Sequence, residues 1–285
     1  MNENVVYSYL ENNYEIAYRT DAHTTLIPPH THNAVEFYVT LADIPSVLLG
    51  SQVLPVPRNS LIIFPEYCVH YIAFLKDVKY KRYVLTVNTL LFDKIFNGDY
   101  EQFSYLKDSM HPLLIPLSAD VLTSLTGSLD NLLSVQKKHP LLQMPPLFTA
   151  LCGIHDIVIR FQQSMQLPAA PELSVPNKTV NDMISYINSH LCENLRVQNI
   201  AAVFYLSPDY AAKIFKAHMG TTIHNFITIQ RMAIARRLLS EGLSVSEVQE
   251  ALGYTSYSYF FRTFKKTVGK TPREYADSLS QSGKR

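Results

Sequence analysis

Two groups of residues in this chain of 285 carry side chains that could do chemistry. In PPHTHNAVEFYV, His30, His32 and Glu36 share one parity, so on an unbroken strand all three point the same way. His70, in NSLIIFPEYCVH, can join them from a neighbouring strand. The second group is LGYTSYSYFFRTFKKTVGKTP, Leu252 to Pro272, where aromatic rings are interleaved with lysines and an arginine. Such a mixture can be core, a base-stacking platform, a membrane-facing stripe or a nucleic-acid-binding face.

Charge separates the regions that hold the two groups. The chain carries a net charge of +1, but residues 177–285 hold +6 and residues 1–176 hold −5. A basic C-terminal third points to a polyanionic partner, against the alternative of a solvated basic surface. Cys68, Cys152 and Cys192 are sparse and lack Cys-x-x-Cys spacing, which argues against a disulfide framework or a zinc finger. A reducing cytoplasm is expected. The N-terminus lacks the apolar run of a signal peptide, and no membrane span is expected.

The positioning elements follow from periodicity. VEFYVTL, SVLLGSQV, NSLIIFP and YKRYVLTV read as short strands of a barrel or sandwich over residues 1–117. Leu122, Leu125, Leu129, Leu132 and Leu133 then recur at helical spacing. A second helix is expected from Pro146 to about Met165, with His139-Pro140 and Met144-Pro145-Pro146 breaking the two apart. This pair, residues 118–166, can pack on the barrel, on a partner chain, or on both. LPAAPELSVPNK, residues 167–178, reads as a semi-rigid linker.

Residues 179–285 read as helical, with two units of helix, short turn and helix. In the first, Ile200, Ala201, Val203 and Phe204 give a short helix and Tyr205-Leu206 a tight connection. Ser207 caps a second helix with Pro208 at its first position; Ala211, Ile214, Phe215 and Met219 face inward, and Gly220 ends it. In the second unit, Ser244 and Glu247 have capping-box spacing, Val245, Val248 and Leu252 form the inner face, and Gly253 ends the helix. Thr255 or Ser256 opens a helix that stops at Gly269, and Thr271-Pro272 with Glu274 opens a last one. Between the units, FITIQRMAIARRLLSEG reads as a long buried-faced helix. Such units place their second helix in a DNA major groove.

The tandem units, the joining helix with Arg231, Ala235 and Leu238-Leu239, and GYTSYSYFFRTFKKTVGKTPREY resemble the DNA-binding domain of the AraC/XylS family of bacterial transcription regulators. The resemblance covers about residues 178–277. Gln249, Ala276 and Ala211 depart from its pattern.

A helical wheel divides the basic stretch. Tyr257, Phe260, Phe261, Phe264 and Val268 form one stripe, predicted to be buried. Ser258, Arg262, Lys265 and Lys266 lie on the other side, with Tyr259 on the border between core and DNA contact. Arg262 is the candidate for a bidentate guanine contact, and Lys265 and Lys266 for phosphate. Thr255 opens that face. In the first unit the equivalent face holds Ser207, Asp209, Ala212 and Lys213, with Lys216 towards phosphate. Asp209 can accept from cytosine or simply serve as an acid in the first helical turn.

The N-terminal half is similar to the cupin barrels found in this regulator family. That resemblance implies a small organic effector, with His30, His32, Glu36 and His70 as polar groups and Tyr38, Phe64 and Tyr71 as apolar walls. These three residues also fit plain barrel core. The same histidines and glutamate match the ligand set of metal-binding cupins, although the flanking glycines are absent; the effector pocket is the preferred expectation, with no metal and no cofactor.

The expected fold is therefore α+β: a cupin-like β-barrel with a two-helix dimerisation hairpin, then an all-α domain with two helix-turn-helix units. The expected function is a cytoplasmic, non-enzymatic, homodimeric transcription regulator of double-stranded promoter DNA, with RNA polymerase as a further partner. The rivals are a metal-dependent cupin enzyme with an accessory helical domain, and an architectural protein whose barrel only dimerises.

Overall fold

The structure is a computed structural model and describes residues 7–8, 14–20, 29–73, 79–96, 101–106, 112–164 and 177–282. Its N-terminal part is rich in sheet. Strands β1 (Tyr7–Ser8), β2 (Tyr14–Arg19), β3 (Thr31–His32), β4 (Val35–Thr40), β5 (Ile44–Leu49), β6 (Gln52–Val56), β7 (Ser60–Phe64), β8 (Tyr71–Ala73), β9 (Arg82–Val87) and β10 (Leu113–Pro116) are accompanied by helix α1 (Thr89–Phe96) and a short 3-10 helix, Glu101–Leu106. One sheet runs β10-β7-β4-β9-β2, a second β6-β5-β8, and β1 pairs with β3.

All six residues of β4 are buried because both faces of this central strand are covered. Val35, Phe37 and Val39 face a core shared with helices α2 (Ala119–Val135) and α3 (Pro140–Ser164). Tyr38 faces the other way, into a core with Ile44, Val47, Val56, Ile62, Phe64, Cys68 and Ile72 from both sheets. The two sheets therefore face each other across this cluster. SVLLGSQV is not one strand: Gly50, at φ 60°, turns it into the β5-β6 hairpin. Strands β2 and β10 escaped the periodicity reading; as edges of the large sheet they mix exposed and buried positions without strict alternation.

Leu125, Leu129 and Leu132 of α2 and Leu147, Leu151, Ile154 and Val158 of α3 bury the predicted stripe on the protein's own sheet. The prolines do not break α3 as expected. Pro140 starts it, and Pro145 and Pro146 lie inside it. The carbonyls they leave without intrahelical partners are those of Leu141 and Leu142, which are exposed and within reach of water. Contrary to the expectation, α3 is long and apolar enough to cross a membrane by length and composition. It nevertheless packs one face on the sheet and carries an Asp156–Arg160 ion pair of 2.8 Å on the other.

The C-terminal part is helical: α4 (Lys178–Ser189), α5 (Val197–Val203), α6 (Pro208–Met219), α7 (Ile223–Ser240), α8 (Val245–Ala251), α9 (Tyr257–Val268) and α10 (Pro272–Ser282). Up to residue 176 the expected linker lies outside the described residues; Asn177 caps α4 and Lys178 begins it. The joining helix α7 is buried nearly all round, because it contributes to both helical cores.

Candidate nucleic-acid interface and ligand cluster

Each helix-turn-helix unit is built by local chemistry. In the first, Tyr205 takes a left-handed φ of 55° after α5, and the Leu206 N–H donates to the Ala201 carbonyl at 2.9 Å. The Ser207 hydroxyl then accepts from the Tyr210 N–H and starts α6. In the second, Ser244 and Glu247 complete the capping box around α8. Gly253, at φ 68°, occupies the position equivalent to Tyr205, and Ser256 rather than Thr255 caps α9 through the Tyr259 N–H. Gln249, a departure from the family pattern, donates to the Tyr254 carbonyl and closes the turn. Thr271 and Glu274 form a further box at α10.

The buried stripe of α9 is narrower than the wheel predicts. Phe260, Phe264 and Val268 are buried, whereas Phe261 is half-buried and Tyr257 is 48% exposed. Tyr257 is the first residue of the helix, where no core element covers it, and its ring rests near that of Phe261 one turn on. Tyr259 is 45% exposed, on the polar side of the border. Thr255, Ser258, Arg262, Lys265 and Lys266 are all exposed, and Arg262 Nε is folded back on the Ser258 carbonyl at 3.2 Å. On α6, Ser207, Asp209, Ala212, Lys213 and Lys216 are likewise exposed, while Ala211, Phe215 and Met219 are buried. Both second helices thus present a polar, cation-bearing face to solvent and anchor the opposite face in core.

In the sheet-rich part, His30, His32, Glu36 and His70 are brought together. The strand carrying the first three is interrupted at Asn33-Ala34, yet His32 Nε2 still lies 3.1 Å from Glu36 Oε2. His30 and His70 form a bridge with reciprocal N–H···O bonds of 3.0 Å. One ring nitrogen from each of His30, His32 and His70 lies within 4.8 Å of the others. Burial opposes ionisation of Glu36, but the His32 hydrogen bond and the fields of the three histidines outweigh it and bring the carboxyl down to about 2. Burial holds His70 well below the ordinary imidazole range. Phe64 stacks on His70 at 4.2 Å, and Tyr38 lies in the same inter-sheet core. Tyr71 does not join them. Next to His70 on the strand, it points to the opposite side, packs with the helical domain and donates its hydroxyl to the His218 carbonyl at 3.1 Å.

The residues that sequence reasoning missed are those joining the two halves. Asn181 of α4 pairs with the β6 backbone, accepting from Val53 N at 2.7 Å and donating to Val53 O at 3.3 Å. Arg236 of α7, 1% exposed, reaches the His32 carbonyl at 3.2 Å and Thr31 Oγ1 at 3.5 Å. The Tyr275 hydroxyl donates to that of Tyr67 at 3.1 Å. One signal was present: Arg236 interrupts the apolar face of a long helix, and a buried cation needs a partner beyond its own helix.

Residues 200–278 match the helix-turn-helix domain family HTH_18. The regulatory protein PocR of Salmonella typhimurium is 32% identical over 123 residues, 39% of this chain and 41% of PocR. The xylose operon regulatory protein of Escherichia coli is 35% identical over 109 residues, 38% of this chain and 28% of that protein. The chain thus spans less than half the length of these curated relatives. Among solved structures, the C-terminal domain of AraT, a response regulator from Geobacillus stearothermophilus, is 29% identical, covering 36% of this chain and 86% of that domain with a TM-score of 0.35. The helical C-terminal part of this chain is an AraC-type helix-turn-helix domain.

Proposed function

We propose that the chain is a sequence-specific DNA-binding transcription regulator controlled by a ligand taken up in its N-terminal half. One observation carries this reading. Two capped second helices, α6 and α9, expose cationic faces at the two ends of α7, whose 18 residues span about 27 Å. A joining helix of that length is compatible with two second helices in successive major grooves, about 34 Å apart on one face of a duplex. Arg262 reads a guanine, Lys265, Lys266 and Lys216 neutralise phosphates, and Ser258, Tyr259, Thr255, Ser207, Asp209, Ala212 and Lys213 complete the two faces. The N-terminal sheets act as a cupin-like sensor. The outer side of the α2-α3 pair, where a groove of about 530 Å³ runs past Ser124, Ser128, Gly153 and Phe161, joins two copies into a homodimer. Such a protein works in the cytoplasm, on promoter DNA.

The test is selection of bound sequences from a random duplex pool with the full chain, followed by affinity measurements between 50 and about 200 mM salt. The expected result is a two-part site spanning about two turns and an affinity that falls steeply with salt. Affinity independent of salt and sequence refutes the reading. The enzyme alternative predicts turnover without DNA affinity.

A further inference from the structure

We propose that His30, His32, Glu36 and His70 bind a divalent first-row transition-metal ion, and that this ion stiffens the segment on which Arg236 of the helix-turn-helix domain docks. The metal site stands on geometry; its effect on DNA rests on the regulator reading above.

The orientation of His70 is the first argument. Its Nδ1 lies 3.1 Å from the Cys68 carbonyl, a contact that requires a hydrogen on Nδ1 and leaves a lone pair on Nε2. That Nε2 is buried and has no hydrogen-bond partner among the described residues. Glu36 Oε2, another acceptor, stands 4.0 Å away, and the same oxygen is 3.1 Å from His32 Nε2. His32 Nε2 donates to that oxygen, whereas the His70 lone pair faces it with no hydrogen between them, an arrangement that a cation relieves; binding the ion displaces the proton from His32 Nε2. A ring held through its other nitrogen by a backbone carbonyl is also the usual support of a metal-bound histidine.

The spacing is the second argument. Around a tetrahedral ion with bonds of about 2.0–2.1 Å, neighbouring donor atoms lie about 3.3 Å apart. The three imidazole nitrogens lie within 4.8 Å of one another, so closing the site takes about 1.5 Å at most, within reach of ring rotation. The reciprocal backbone bonds between His30 and His70 already hold the two ligand-bearing strands together. Three imidazoles and one carboxylate suit Zn²⁺, Fe²⁺, Co²⁺ or Ni²⁺ and are a poor set for Mg²⁺ or Ca²⁺.

The third argument links site and domain. The His32 carbonyl accepts from Tyr67 N at 3.0 Å and from Arg236 Nη2 at 3.2 Å. Arg236 also lies 4.8 Å over the Tyr67 ring, and Tyr67 holds a left-handed φ of 63°. One residue therefore offers its side chain to the ion and its backbone to the other domain. An ion that fixes the His32 ring also fixes the carbonyl that receives Arg236, and so favours the docked arrangement. Docking involves the first helix-turn-helix unit, through the Tyr71–His218 contact on α6, and the flanking helices α7 and α10, through Arg236 and Tyr275.

The experiment uses the full chain, dialysed against chelator and then titrated with Co²⁺, with Zn²⁺ as competitor. Expected are one ion per chain, visible absorption bands of low-symmetry Co²⁺, and their loss in His70→Ala and in His30→Gln. The second variant alters a partly exposed ligand, so it reports on binding even if the first does not fold. DNA affinity of the wild type, measured with and without Zn²⁺, is expected to shift by about fivefold or more. Arg236→Ala is expected to bind Co²⁺ at the same stoichiometry while its DNA affinity no longer responds. Substoichiometric Co²⁺, or bands unchanged in both ligand variants, overturns the site. Stoichiometric binding with unaltered DNA affinity overturns the coupling. Absence of DNA binding with or without metal counts against the regulator reading and leaves the metal result standing.

Discussion

The guanidinium carbon of Arg236 stands 4.8 Å over the ring of Tyr67, joining a helix of the helix-turn-helix domain to the sheet-rich half of the chain. The Arg236 side chain is buried, and its Nη2 reaches the His32 carbonyl. Arg236→Ala removes a cation–π contact and a charged hydrogen bond together, and is expected to cost about 2–4 kcal/mol in urea unfolding. Arg236→Lys is not expected to restore stability, because an ammonium cannot stack and donate in the same plane. A double-mutant cycle with Tyr67→Leu should return a coupling of about 0.5–2 kcal/mol.

In the proposed DNA complex the exposed face of α9 divides into a reader, Arg262, and an anchor, Lys266. Arg262→Ala should lose preference at one base pair, by about 1–3 kcal/mol, with little change in affinity for random DNA. Lys266→Ala should weaken all sequences alike and lower the salt slope by about 1. Binding-site selection and salt titration on the two variants measure both effects. A uniform loss in Arg262→Ala would remove it from base recognition.

Gly253 and Gly242 both have positive φ, of 68° and 94°, yet they should respond differently to alanine. A Cβ at Gly253 would lie 2.0 Å from the Cys192 carbonyl oxygen, which belongs to rigid backbone. A Cβ at Gly242 meets nothing within 4 Å. Gly253→Ala should therefore cost well above the roughly 1–2 kcal/mol of left-handed strain alone, and Gly242→Ala about that strain only. Thermal or urea denaturation of the two proteins compares them directly.

His155 gives the sheet-rich half a dependence on pH. Burial against Phe103 and Tyr105 holds its imidazole below the ordinary range, against an upward pull from Asp156. The unfolded chain therefore takes up this proton first, and stability falls as pH drops below about 6.5. Above that pH neither state is protonated at this position and the effect vanishes. The loss of stability between pH 7.5 and 5.5 should be smaller in His155→Leu than in the wild type. An equal loss in both proteins would assign the dependence elsewhere.

The helix-turn-helix units were legible because their determinants are local. Ser207-Pro208, Ser244 with Glu247, Gly220, Gly253 and Gly269 fix helix ends through bonds that span a few residues, and each stands where the pattern placed it. The leucines of α2 were legible for the same reason, since a repeat of three and four residues requires only one core to face. The reading failed where a distant element decides. Tyr257 has the phase of the stripe but no core element to cover it, and Tyr71 lies on a strand of the sheet-rich half yet packs on α6. Pro145 and Pro146 sit within α3 because solvent can satisfy the carbonyls they free. Residue types and parity marked His30, His32 and Glu36 as one group. His70 was legible as a candidate fourth member, but only the pairing of His30 with His70 across strands set it beside them, and only the packing of α7 set Arg236 against the His32 carbonyl. Caps and periods are written within one turn of chain, whereas a contact between residues 32 and 236 depends on how two separately stable surfaces fit.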